Sequence, residues 1–212
     1  MSNKYFALWR DEHIVFPKTV TINEEVIEVN SNFKIALKIL KLQSDTEIAE
    51  IRKPKLMLSW FYAEPQKIRN PKTALDTMSD FLVHKKMTVN DPMRGISTND
   101  KADKGVEKQS KVCFEFDAEE IYVSFIQDYK IDLMTVEYLH WYKFLMLFSN
   151  LSKECAFTRK YELRTLDLKD FKGKDKAKLE KAKKDVQIPV KLTATELSMM
   201  EELAKKLNMY DG

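Results

Sequence analysis

Residues 19–29 read TVTINEEVIEV, where Val20 and Ile22 alternate with polar neighbours. Ile27 and Val29 resume that alternation after a phase break at Asn23, Glu24 and Glu25. Period-two runs on either side of a polar break predict a β-hairpin with its turn near Asn23-Glu24. A two-stranded hairpin is marginal by itself, so this one must pack against other elements.

Past the hairpin the period becomes helical. Phe33, Ala36, Leu37 and Leu40 fall at i, i+3, i+4 and i+7, with Ser31 or Asn32 available as cap. Residues 53–63 place Pro54 at a first helical position and set Leu56, Met57, Trp60 and Phe61 on one face, until Pro65 ends the run. Asn70-Pro71 repeats the start signal, and Ala74, Leu75, Met78, Phe81 and Leu82 extend a stripe toward Lys86. Residues 88–111 are rich in Asn, Asp, Ser, Gly, Lys and Pro. They hold too few large apolar side chains to offset their ordering entropy, which predicts a mobile loop.

Order resumes at Asp117, expected to cap a helix with Glu119 and Glu120 in its positive first turn. Ile121, Phe125, Ile126 and Tyr129 are its expected buried face. A short link at residues 130–133 predicts that the next helix, over residues 135–149, folds back as a helical hairpin. That helix carries Val136, Leu139, Trp141, Tyr142, Phe144, Leu145, Met146, Leu147 and Phe148. Being apolar nearly all round, it is expected at the centre of the core. Residues 153–163 read as helical, and residues 166–184 as an exposed, partly helical tail of alternating charge. After a separator at residues 186–192 containing Pro189, a capping box at Thr193 and Glu196 opens a last helix with Leu197, Met200, Leu203, Ala204 and Leu207 on one face. The fold class is therefore mainly α. Residues 1–170 form a compact helical domain with an N-terminal hairpin, and residues 171–212 a charged tail with a terminal amphipathic helix.

Composition narrows the function. The 212 residues suffice for one sizeable core, and 44% hydrophobic content supports it. Four glycines are too few for glycine-rich phosphate loops and favour helices. With 36 basic against 33 acidic residues the net charge is only +3, which argues against nucleic acid as the main partner. Cys113 and Cys155 form no CxxC or Cys/His cluster, and two cysteines are an ordinary intracellular count. No stretch approaches a membrane span, and residues 1–10 lack a signal-peptide core, so a cytoplasmic location is expected.

Candidate chemistry is sparse. His13, His84 and His140 include no i, i+4 pair for a metal, and His140 reads as a core-edge histidine bonded to a neighbour. Glu119-Glu120 and Glu201-Glu202 are adjacent on helices and diverge by about 100°. GxSxG, GxxxxGK[ST] and GxGxxG are all absent. The run KGKDKAKLEKAKK at residues 172–184 is interrupted by Asp175 and Glu180 and lacks interleaved aromatics, so a solvated tail is the favoured reading. No catalytic residue, cofactor site or metal site is assigned, and a non-enzymatic role is expected. Aromatics and ten methionines suit core packing and an adaptable interface.

Residues 117–144, DAEEIYVSFIQDYKIDLMTVEYLHWYKF, resemble the signature of a phage protein family named after gene product fifteen of a Gram-positive siphophage. Asp117, Ile121, Phe125 and Tyr129 carry the resemblance, followed by Ile131, Asp132 and Leu133. Leu139, His140, Trp141 and Phe144 come next, and Leu151 and Arg164 continue it. Upstream, residues 16–20 (FPKTV) and Asn32-Phe33 resemble the family's opening hairpin and first helix, so the resemblance spans about residues 16 to 185. The loop at residues 88–111 and the segment after Pro189 depart from the pattern. The resemblance implies a tail assembly chaperone of siphophages that binds the tape-measure protein in the host bacterial cytoplasm, with no catalysis and no cofactor. It leaves the signature residues as structural or partner-binding. The tail tube protein and a second copy of the chain are further candidate partners; no membrane is. Two other roles stay open: a tail or connector component retained in the virion, and a nucleic-acid-binding regulator using residues 172–184.

Overall fold

The computed structural model describes residues 16–83 and 111–189. His13, His84, the expected loop at residues 88–111 apart from Lys111, and the expected last helix from Thr193 lie outside the described residues.

Strands β1 (Thr19–Ile22) and β2 (Glu25–Glu28) pair antiparallel with Val20 opposite Ile27. Asn23 and Glu24 form the turn with φ of 48° and 69°, the positive values that a two-residue hairpin loop requires. Ile22 and Ile27 are buried, whereas Val26 points out. The free edge of β2 is met by residues 61–63: Asn30 N donates to Phe61 O at 2.7 Å and Ala63 N to Glu28 O at 3.1 Å.

Helix α1 (Phe33–Gln43) is capped by Asn32, whose side chain accepts from Lys34 N at 3.1 Å. Its buried face is Phe33, Ala36, Ile39 and Leu42. The expected Leu37 and Leu40 are only half-buried, because the covered stripe runs on the i+3 row beside them. Helix α2 (Lys53–Phe61) has Pro54 in its first turn and buries Met57 and Phe61. Trp60 is half-buried, with Lys38 Nζ 3.8 Å from its ring centroid. The helix stops before Tyr62, short of the expected end at Ala63, because Tyr62 bridges Val29 in extended backbone and sends its hydroxyl to Ala74 O at 2.8 Å. Helix α3 (Pro71–Val83) starts at Asn70, whose side chain accepts from Thr73 N, and buries Ala74, Met78, Phe81 and Leu82.

Helix α4 (Ala118–Tyr129) buries Ile121, Ser124 and Phe125, while Ile126, expected inside, is 38% exposed. It ends at Lys130 in the left-handed region, with Lys130 N and Ile131 N returning to Ile126 O and Phe125 O. Here the structure departs from the expected helical hairpin. Helix α5 spans only Trp141–Ser149, and residues 130–140 form a non-helical strap. Asp132 diverts the chain by accepting from Met134 N and Thr135 N, a local turn that competes with helix. Leu139 and His140 are then held extended against Asn32.

Two further helices, α6 (Ala156–Thr165) and α7 (Gly173–Asp185), complete the described chain. The charged segment is tied back: Lys183 Nζ donates to Leu166 O at 2.5 Å and Arg164 Nε to Val186 O at 2.8 Å. At the centre, Phe144 is fully buried, with ring centroids of Phe33, Phe125, Trp141 and Phe148 between 5.0 and 6.1 Å away. No helix among the described residues is long and apolar enough to cross a membrane.

Candidate partner-binding surface

The signature residues converge on two buried joints. The first lies at the start of α4. Asp117 holds the N-cap position but makes no side-chain cap bond to its helix, contrary to expectation. Its carboxylate instead takes Arg164 on both oxygens, at 2.9 and 2.5 Å, and accepts from Cys113 N at 3.0 Å. Lys160 Nζ stands 3.3 Å away. Burial pushes the Asp117 carboxyl up, but the Arg164 hydrogen bonds, the Cys113 amide and the charges of Arg164 and Lys160 outweigh it, so the carboxyl titrates below the ordinary carboxylate range. Arg164 also donates to Lys111 O and Val186 O, so one guanidinium joins α4, α6 and the end of α7.

The second joint is the end of the strap. His140 is not inside a helix as expected; it is the N-cap of α5, its Nδ1 accepting from Tyr142 N at 3.0 Å. With Nδ1 accepting, Nε2 carries the proton and donates to Pro17 O at 2.9 Å. The ring stacks on Phe16 at 5.0 Å. Trp141 is buried, with Nε1 donating to Leu82 O at 2.8 Å, and its backbone N donates to Ser31 O. Phe33 N donates to Leu139 O. The Leu139-His140-Trp141 block therefore ties together the lead-in to β1, the start of α1, the end of α3 and the start of α5.

The remaining signature residues support these joints. Ile121, Phe125, Leu133 and Phe144 are core. Tyr129 is half-buried and donates its hydroxyl to Leu147 O at 2.8 Å. Ile131 and Leu151 pack against the core from its edge. Asp132 accepts from the strap's own amides at Met134 and Thr135, and the Met134 amide contributes most to holding its carboxyl low. Lys160 and the carbonyls of Pro17 and Leu82 carry no signal in the sequence, because each meets a partner far along the chain, and Cys113, four residues before Asp117, contributes only a backbone amide that any residue type but proline supplies.

A family model described as bacteriophage Gp15 protein matches residues 13–188. The chain belongs to the bacteriophage Gp15 family. No curated protein and no solved structure matches it. Both buried joints lie within the stretch that matches Gp15.

Outside the joints, this Gp15 protein presents apolar side chains on a fixed frame. Val123 is 45% exposed, Tyr138 48% and Met134 75%, and Ile126 joins them. Ile126 lies one helical turn beyond Tyr122 on α4, and the Asp132 charge at the Met134 turn is near enough to act on the Tyr122 hydroxyl. The strap beneath is pinned to α1: Lys34 Nζ donates to Met134 O and Val136 O, and Asn32 donates to Glu137 O at 3.0 Å. Ser31 Oγ shares a 2.8 Å hydrogen bond with the Tyr138 hydroxyl, and Lys18 stands over the Tyr138 ring. Exposed apolar side chains thus stand on both segments, Val123 and Ile126 on α4 and Met134 and Tyr138 on the strap, with Tyr122 half-buried against the core; together they are the candidate apolar strip.

Elsewhere, an open depression is lined by Leu40, Gln43, Lys53 and Met57. Its buried Lys53 is already committed to Gln43 O and Glu50, closing the end of α1. Among the described residues no group of three or more His, Cys, Asp or Glu side chains is placed to hold a metal.

Proposed function

We propose that this Gp15-family protein is a non-catalytic tail assembly chaperone that holds the tape-measure protein soluble in the host bacterial cytoplasm while a siphophage tail is built. The observation that carries the reading is the exposure of Ile126 on α4 and of Met134 on a strap held by hydrogen bonds. A tape-measure chain is long and helix-prone, and its apolar stripes attract one another until the tube encloses them. A rigid frame lowers the ordering cost of covering such a stripe, and methionine adapts to varied shapes. Membership of a phage protein family supports the setting.

The test is co-expression with the tape-measure protein, followed by pull-down at low and physiological salt. A soluble complex that survives both salts supports the reading, since apolar contact is only weakly screened. Ile126→Glu combined with Met134→Glu should abolish the complex without changing the melting temperature. No complex at either salt, together with this protein in finished virions by mass spectrometry, would overturn the reading in favour of a structural tail component.

A further inference from the structure

In linear sequence, Asp175 and Glu180 interrupt the lysines of residues 172–184. The helix sorts them apart. At about 100° per residue, Lys174, Lys178, Lys181 and Lys184 fall within one arc of about 120° on α7, with Ala177 between them. Asp175 and Glu180 fall outside that arc on opposite sides, and only Asp185 at the helix end shares it. All four lysines and Ala177 are exposed. The opposite side, with Lys176, Leu179 and Lys183, is partly covered, and the helix is fastened there through Lys183 to Leu166 O and Arg164 to Val186 O. The arc is thus presented outward on an anchored helix.

Neighbouring lysines at i, i+3 and i, i+4 repel, and Asp185 at the helix end is the one acid among them on the arc, while Glu180, outside it, pairs with Lys176 on the covered side. We propose that this arc binds the phosphate backbone of nucleic acid, without sequence preference, as a second surface independent of the apolar strip. Three features select that occupant. The arc carries ammonium point charges alone, with no guanidinium to fork onto a base edge and no ring to stack on a base. Its charges repeat about once per turn, staggered across that arc, which suits a polyanion of uniform charge. A folded acidic protein surface would require a matched, irregular pattern. Four phosphate contacts also bind weakly and release readily as salt rises.

The test is fluorescence anisotropy of the full chain with labelled 20-nucleotide DNA, single-stranded and duplex, at about 50 and 200 mM salt. Affinity should fall about a hundredfold between these salts for four contacts. Lys174→Gln/Lys178→Gln/Lys181→Gln should remove most binding at low salt and keep the melting temperature. A control removing the same charge from exposed lysines elsewhere, Lys55→Gln/Lys72→Gln/Lys153→Gln, should bind like the parent. Absence of binding at about 50 mM salt, or equal loss in the control, would overturn the proposal. So would tighter binding of labelled polyglutamate than of either DNA, which would assign the arc to an acidic protein.

Discussion

Arg164 and Asp117 stand 47 residues apart in the chain and meet as a buried two-point ion pair, with side chains 4% and 0% exposed. Removing one partner leaves the other charge desolvated, the costly half of burying a pair. Arg164→Met should therefore lose about 3–5 kcal/mol in urea unfolding. Adding Asp117→Leu should recover part of that loss, since the uncompensated carboxylate is then gone.

The same pair sets an acid limit. Asp117 has a depressed carboxyl, so the unfolded chain takes up this proton first as pH falls. Its contribution is full above the ordinary value of 3.8 and disappears as pH drops through the lower folded value. Asp117→Asn should flatten the stability profile in that window and leave its shape at neutral pH unchanged. A two-dimensional map of melting temperature against pH reads this directly.

Trp141 combines apolar burial with one buried hydrogen bond. Trp141→Ala should cost about 3–5 kcal/mol. Trp141→Phe keeps much of the packing but leaves Leu82 O without its indole donor, and should cost at least about 1–3 kcal/mol. Both should show as shifts in denaturant midpoint.

Burial raises the Tyr62 hydroxyl well above its ordinary value of 10.0. Ultraviolet titration of the folded protein should find one tyrosine that ionises only with alkaline unfolding. Tyr62→Phe should remove that step.

At the hairpin turn, Glu24 has φ of 69°, a region disfavoured for a residue with a Cβ. Glu24→Gly should raise stability by about 0.5–1 kcal/mol, the relief of strain exceeding the extra entropy of glycine in the unfolded chain. Thermal unfolding monitored by circular dichroism checks the sign.

The hairpin and α3 were legible because their signals are local: a two-residue polar break, and Asn70-Pro71 before an amphipathic stripe. The start of α5 was not. Val136 and Leu139 fit a helical period, while the bonds holding Leu139 and His140 extended, from Phe33 N to Leu139 O and from Trp141 N to Ser31 O, involve residues more than a hundred positions earlier. Asp117 looked like a cap for the same reason, since its local surroundings suit one and its partner Arg164 is distant. Periodicity showed that α4 has an apolar side without showing how much of it is covered, so Ile126 was counted as buried. Of the candidate surfaces, the apolar strip needed the strap geometry, and the lysine arc needed the residues to be placed around a helix.

The joint at Leu139, His140 and Trp141 also sets an order of events during synthesis. Asn32 and Glu137, hydrogen-bonded in the folded protein, are 105 residues apart in the chain. At about 5–20 residues per second, α1 leaves the ribosome roughly 5 to 20 s before the segment that covers it. Ile22, Ile27, Phe33 and Ile39 belong to the finished core but are translated in that early piece. For those seconds the nascent chain is itself an aggregation-prone polypeptide with bare apolar stripes, and its yield should rise when translation is fast or a ribosome-bound holdase is abundant.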